Sequence, residues 1–359
     1  MLVPDNAADT LRFVSDTIDL RVPTFDDLDA IASVVAAQDT AWWGEPDGDI
    51  DDVRDELDRA VMASGSLAAG ARVALSDEAV VGVGLLFGHG HTGVSVDPAA
   101  PCAGAARLAL IDWLSGNGGR EFDAPSQDVD QLGQLAAHGF RPTRSSFELQ
   151  RPADVADLPQ PMWPPEIALA PFRPGVDDEE LHDMIYSFWT DVPGHTHRPF
   201  DEWRSLFVSG SWFDPDLVVL TRSDGGAGSV VGCALNRTFN GKVGWVTQLG
   251  VARSARGLGL GRATLLEACH RLSRTGVGMI GLGVEAENAN ALGLYRSVGM
   301  DIEREWVHSE RPGPHRASWR YLGRVPVRGH PSGDVAQLAR APALQAGGRG
   351  FDSHRLHQV

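Results

Sequence analysis

The stretch QLGVARSARGLGLGRATLLEA, Gln248 to Ala268, sets an arginine and three alternating glycines directly before a run with helical spacing. Leu265, Cys269 and Leu272 share one face of that helix, Arg271 and Arg274 stand in its last turn, and Gly276 is placed to stop it. GWVTQLGV, Gly244 to Val251, reads as a strand, so the glycines occupy a strand-to-helix turn. Free N–H groups at a helix start, joined by those of such a loop, form a concave anion site. Glycine is needed there because a Cβ would hold the backbone away from phosphate oxygens. A nucleoside triphosphate loop would require Gly-Lys-Ser/Thr, which is absent. A dinucleotide turn would find an acid in Glu285 at the end of the next strand, but Thr264 stands where its third glycine belongs.

The third ligand that suits the turn is a CoA pyrophosphate. Arg256, Gly259 and Gly261 satisfy R-x-x-G-x-G, which resembles motif A of the GNAT N-acetyltransferase superfamily. Downstream, GLGVEAENANALGLYRSVGM resembles motif B, a strand followed by Asn288, Ala291, Leu294, Tyr295 and Gly299. The resemblance covers Ile167 to Glu310 and extends, in element order, to Ile18 through Gln150. It implies an α/β fold of the α+β kind, a mixed sheet whose two central parallel strands splay apart. Acetyl-CoA would be the co-substrate and no metal would be needed. Backbone groups of Leu249, Gly250 and Val251 would pair with the pantetheine arm and polarise the acetyl carbonyl. The N–H groups of Arg256, Gly257, Leu258, Gly259, Leu260, Gly261 and Arg262 would hold the pyrophosphate, and Asn288 would touch the arm. Tyr295 would be the general acid that protonates the leaving thiolate; the plainer reading is a tyrosine packed in the core beside Leu294.

The base that must deprotonate an amine acceptor stays open. Glu285 is one candidate. TDVPGHTHRPFDEW, Thr190 to Trp203, offers Asp191, His195 and His197 on a loop that would meet the acceptor, although histidines in a polar loop are commonly just solvated. Trp189, Trp203, Trp212 and Trp245 could line an acceptor pocket or simply pack. Cys233 and Cys269 read as small core residues.

The elements that would position these groups occur twice. Ile18 to Pro23 reads as a strand, followed by a helix with Leu28, Ile31 and Val35 on one face and Thr24 and Asp27 as a capping pair. Ile167 to Phe172 precedes a helix with Leu181, Ile185 and Phe188 on one face. Val80 to Gly88 matches Val230 to Thr238, and the offsets drift slowly: 150 from Gly82 to Gly232, 155 from Val96 to Val251, 160 from Gly139 to Gly299. Corresponding elements in one order indicate an internal duplication. The expected organisation is a flexible start (1–17), a degenerate first domain (18–152), a proline-rich linker (153–166), a catalytic second domain (167–325) and a disordered tail (326–359).

In the first copy Pro101 takes the arginine position, Cys102 and Ala106 replace two glycines, only Gly104 remains, and Leu135 falls at the tyrosine. Proline lacks a donor. A tandem with a degenerate first copy is similar to the mycothiol synthases, which acetylate the amine of a cysteinyl-glucosaminyl-inositol, although Trp245 replaces the acid that those proteins carry before motif A. An amine acetyltransferase of unnamed acceptor is therefore the main expectation, and the rival from another class is a non-catalytic acetyl-CoA-binding regulatory module.

The whole composition agrees. The chain has 359 residues and a formal charge of −17, with one lysine, Lys242, which argues against a nucleic-acid binder. Its three cysteines form no close pair, which suits a reducing cytoplasm. No apolar run reaches a membrane span and no secretory signal opens the chain; the expected protein is cytoplasmic, a monomer or homodimer. Pro331 to Val359 resembles a translated tRNA gene: APALQAG can be written GCG CCC GCC TTG CAA GCG GGA, an anticodon stem and loop, and GFD can carry a T-loop sequence. The expectation is a reading frame that runs into a neighbouring tRNA gene.

Overall fold

The computed structural model describes residues 18–154, 156, 158–187, 199–209, 213–239, 241–311 and 339–340. The first half runs β1 (Asp19–Arg21), α1 (Leu28–Trp43), α2 (Ile50–Ser64), α3 (Leu67–Gly70), β2 (Ala71–Ser76), β3 (Ala79–Leu86), β4 (His91–Val96), α4 (Ala103–Gly116), β5 (Glu121–Pro125), α5 (Val129–Ala137) and β6 (Arg141–Pro152). The second runs β7 (Ala168–Ala170), α6 (Asp178–Ser187), α7 (Phe200–Phe207), β8 (Val219–Arg222), β9 (Val230–Phe239), β10 (Val243–Val251), α8 (Leu260–Ser273), β11 (Met279–Glu285), α9 (Ala289–Arg296) and β12 (Asp301–Glu310). A two-residue strand, β13 (Ala339–Arg340), follows.

Local signals read from the sequence place these elements. Thr24 donates its N–H and its hydroxyl to Asp27 Oδ2, at 2.6 and 2.8 Å, where the chain turns into α1. Arg21 grips the same carboxylate and holds it well below the usual carboxylate range. Ile31 and Val35 are buried on the α1 face, as are Leu181 and Ile185 on α6; Phe188 lies outside the described residues.

All the strands join one mixed sheet in the order β1-β2-β3-β4-β5-β12-β6-β11-β10-β9-β8-β7, with β13 against β10. The halves exchange their last strands. β6, from the first half, pairs with β11 of the second, and β12 pairs with β5 of the first. The exchanged strands also pair with each other, from Asp301 opposite Gln150 to Glu310 opposite Arg141. An offset of 160 carries Arg141 to Asp301 and Gln150 to Glu310, so the register is symmetric about its own middle. Each half is therefore completed by a strand of the other.

Helices cover both faces. α8 and α9 pack Leu265, Leu266, Cys269 and Tyr295 on Val246, Leu249 and Leu282. On the opposite face α6 and α7 set Leu181, Ile185 and Trp203 against Leu220, Cys233 and Trp245. The first half repeats this division, with Ile31 and Val53 over Val73 and Val83, and Leu110 and Leu114 under Val94 and Phe122. The linker is not a bare tether: Leu158 is buried, and His270 Nε2 on α8 donates to the Pro159 carbonyl at 3.1 Å. Among the described residues, no helix is long and apolar enough to cross a membrane.

Candidate active site

β10 and β11 run parallel and pair only from Val243–Met279 to Trp245–Gly281. Past that vertex they diverge, while β9 stays on β10 and β6 stays on β11. The split is thus held open by antiparallel partners on both outer sides. A bulge between Val246 and Gln248 shifts the β10 register at the vertex. Ala252 donates its N–H to Val231, toward β9, at 2.9 Å. By strand alternation Val251 and Leu249 turn their polar backbone groups into the gap. Along this edge β13 sets Ala339 opposite Leu249 and Arg340 opposite Gln248.

The glycine turn stands at the open end. Gly257 and Gly259 have φ of 75° and 81°, a left-handed conformation that side chains strain to adopt. Among the described residues, no atom beyond their own chain neighbours lies within 4 Å of where their Cβ atoms would be. The first intrahelical bond of α8 comes from Ala263, to Gly259. Among the described residues, the N–H groups of Gly257 through Arg262 donate to no backbone carbonyl. Arg256 folds back, Nε donating to the Val251 carbonyl at 3.3 Å, and Arg262 reaches the Ser297 carbonyl at 3.4 Å. An open row of N–H groups flanked by arginines forms an anion cradle within an acidic chain.

Tyr295 lies on α9 with no exposed surface, and its hydroxyl has no hydrogen-bond partner among the described residues. Burial raises its pKa above the ordinary phenol value, so the hydroxyl keeps its proton in the folded chain. Asn288 caps α9, Oδ1 accepting from Ala291 N–H at 3.1 Å. Cys233 and Cys269 are buried and their thiols are pushed up to about 12, which leaves them inert packing residues.

Glu285 ends β11 on the face covered by α6 and α7. Arg144, from the first half, donates to it from Nη1 at 3.1 Å and reaches Glu121 with Nη2. Trp245 is 2% exposed, its ring lying where a Cβ on Gly281 would run into it. Its indole N–H and the side-chain oxygen of Gln248 are buried without partners among the described residues. Trp203 is fully buried against His182 and Phe200. Asp191, His195, His197, Trp189 and Trp212 lie outside the described residues.

The same face carries a buried polar row that the sequence did not announce. Ser146 Oγ lies 2.8 Å from His308 Nε2, and His308 Nδ1 donates to Asp123 Oδ1 at 2.6 Å. The order is that of a nucleophile relay, but Ser146 is 2% exposed and lies within the sheet between β11 and β12. His91, Glu121 and Asp123 lie close enough to share a cation, yet Arg144 and His308 already face these carboxylates. One strand spacing from β11, Glu148 sits opposite Gly283, bonded to the Trp306 indole and beside Arg304. Burial pushes its carboxyl up to about 7.

Residues 179–300 match the acetyltransferase (GNAT) family. A mycothiol acetyltransferase of Frankia alni is 29% identical over 286 residues, which cover 73% of this chain and 79% of that protein. One of Kytococcus sedentarius is 30% identical over 232 residues, 64% of this chain and 77% of that protein. One of Thermomonospora curvata is 29% identical over 180 residues, 50% of this chain and 59% of the relative. Among solved structures, a GCN5-related N-acetyltransferase from Sphaerobacter thermophilus has a TM-score of 0.70 and 25% identity, over 82% of this chain and 96% of that one. A tandem GNAT protein from the clavulanic acid biosynthesis pathway, 14% identical, shares the fold with a TM-score of 0.63 over 83% of this chain and 99% of its own.

Proposed function

The chain belongs to the acetyltransferase (GNAT) family, and from that premise we propose that its second half transfers the acetyl group of acetyl-CoA to a primary amine. The observation that carries the proposal is the parting of β10 and β11 beyond Trp245–Gly281, with the open N–H row of Gly257 to Arg262 at the end of the gap. Leu249 and Val251 present strand-edge groups to an extended amide-bearing arm, and the turn presents N–H groups to its diphosphate. Bringing the arm in requires β13 to leave that edge.

In the transfer, the amine nitrogen bonds to the acetyl carbonyl carbon as the carbon–sulfur bond breaks. Fixed N–H dipoles of β10 near Leu249 to Val251 meet the charge that develops on the carbonyl oxygen. Tyr295 is the group assigned to give its proton to the departing thiolate; its hydroxyl meets no partner among the described residues and has no exposed surface, so the role requires the gap to open to it when the arm enters. The proton lost by the amine passes to a carboxylate on the acceptor side, for which Glu285 is the candidate that Arg144 holds in place. Trp245 and the loop carrying Asp191, His195 and His197 would contact the acceptor.

The second reading narrows the acceptor to that of the mycothiol acetyltransferases, which it resembles at 29–30% identity. Thiol release from acetyl-CoA tests both, with the desacetylated mycothiol precursor run beside a panel of small primary amines. Turnover of the precursor far above the panel supports the narrow reading, turnover of another amine supports the general one, and release from none contradicts both.

A further inference from the structure

The first half parts its own parallel strands. β4 and β5 pair only at His91–Glu121 and Thr92–Phe122 before they diverge. Asp97 donates its N–H to Val81, toward β3, at 3.0 Å, so Val94 and Val96 turn their backbone groups into the gap. Two of those groups are taken. Val96 N–H donates to Gln38 Oε1 at 2.7 Å, and Gln38 Nε2 donates to the Val94 carbonyl at 3.5 Å. One primary amide thus meets a backbone donor and a backbone acceptor two residues apart, as an added strand would. Gln38 comes from α1 and is 2% exposed.

An offset of 155 carries Val94 to Leu249 and Val96 to Val251, the pair that faces the gap of the second half. Gln38 stands seven residues after Ile31; seven after Leu181 stands Phe188, outside the described residues, whose side chain has no amide. Two further features of the first half oppose a cofactor. The Asp97 carboxylate accepts the Ala99 N–H at 2.9 Å, which sets a negative charge in the turn where a diphosphate would lie. Leu135, buried, stands 160 residues before Tyr295 and offers no proton.

We propose that Gln38 is a built-in occupant of the first half's splay, standing in for the amide of a pantetheine arm, so that each chain takes one acetyl-CoA and takes it in the second half. This rests on the acetyl-CoA reading of the second half given above. A polar side chain on the core face of α1 thereby satisfies strand-edge groups that the parting of β4 and β5 would otherwise bury unpaired.

Native mass spectrometry of the intact chain titrated with acetyl-CoA counts the sites, run beside the Arg256→Glu, Gly259→Asp double variant. One adduct at saturation on the parent chain and none on the variant is expected. Two adducts on the parent, or one that survives in the variant, overturns the proposal. No adduct on either overturns it together with the acetyl-CoA reading, so the two failures are told apart. Hydrogen exchange at the Val96 amide needs no cofactor-site variant. Its protection should be the same with and without acetyl-CoA, and exchange should quicken by about tenfold or more in Gln38→Ala. A gain of protection at Val96 on adding acetyl-CoA would place the arm there and overturn the proposal.

Discussion

Glu285 belongs to the second half of the chain and Arg144 to the first, yet their side chains meet at 3.1 Å because β6 lies directly beside β11. The strand exchange that creates this pair sets a first-half cation on the last residue of the second half's β11. Arg144 is largely buried, and burial alone would lower its pKa, but Glu121 and Glu285 more than offset that and keep it charged. Removing the cation leaves two carboxylates facing each other with little solvent. Arg144→Leu should therefore destabilise the fold by about 3–5 kcal/mol, read from urea unfolding. A loss below 1 kcal/mol would show that the pair holds nothing together.

Tyr295→Phe separates catalysis from packing. The hydroxyl has no partner among the described residues, so its removal should leave stability unchanged or raised by up to about 1 kcal/mol. Acetyl-CoA affinity should stay within about twofold, while turnover falls by about 10²–10⁴ if a general acid has been lost. A variant that unfolds easily yet turns over normally would assign the tyrosine to the core alone.

Glu148 gives stability a pH dependence with a defined sign. Its carboxyl is raised by burial from the ordinary 4.5 to about 7 in the folded chain. The folded state thus holds a proton that the unfolded state releases, and this contribution is full below about 4.5 and lost as pH rises through about 7. Stability of the parent chain should fall across that window at up to about 1.4 kcal/mol per pH unit. Glu148→Gln should flatten the fall, measured as melting temperature at pH 5 and pH 7.5. Parallel pH profiles for the two proteins would contradict the assignment.

β13 lies along the Leu249 edge that the arm would need. A tail docked about half the time doubles the apparent dissociation constant, and one docked about nine-tenths of the time raises it about tenfold. Ending the chain at His330 should therefore tighten acetyl-CoA binding, measured by equilibrium dialysis. Equal affinity for the two lengths would mean that the tail does not compete.

The sequence exposed the parts of this architecture that depend on local pattern. The glycine turn, the core face of α8 and the capping of α1 by Thr24 and Asp27 follow from spacing within a few residues. The slow drift of the offsets exposed the duplication. The exchange of β6 and β12 was not legible, because alternation along a strand says which face is buried and not which sheet receives it. Arg144 and Gln38 escaped for a related reason: each acts on a partner more than fifty residues away. Gln38 did leave one trace, a polar residue three positions after Val35 on the core face of α1. Such a residue must find a buried partner, and the parted edge of β4 supplies it.

The central claim is that the turn from Arg256 to Arg262 and the gap beside Leu249 and Val251 bind acetyl-CoA. Titration calorimetry with acetyl-CoA tests it directly, on the intact chain and on the folded Arg256→Glu, Gly259→Asp variant. Saturable binding to the parent that the variant loses is the predicted result. Binding by neither folded protein, or equal binding by both, would contradict the account.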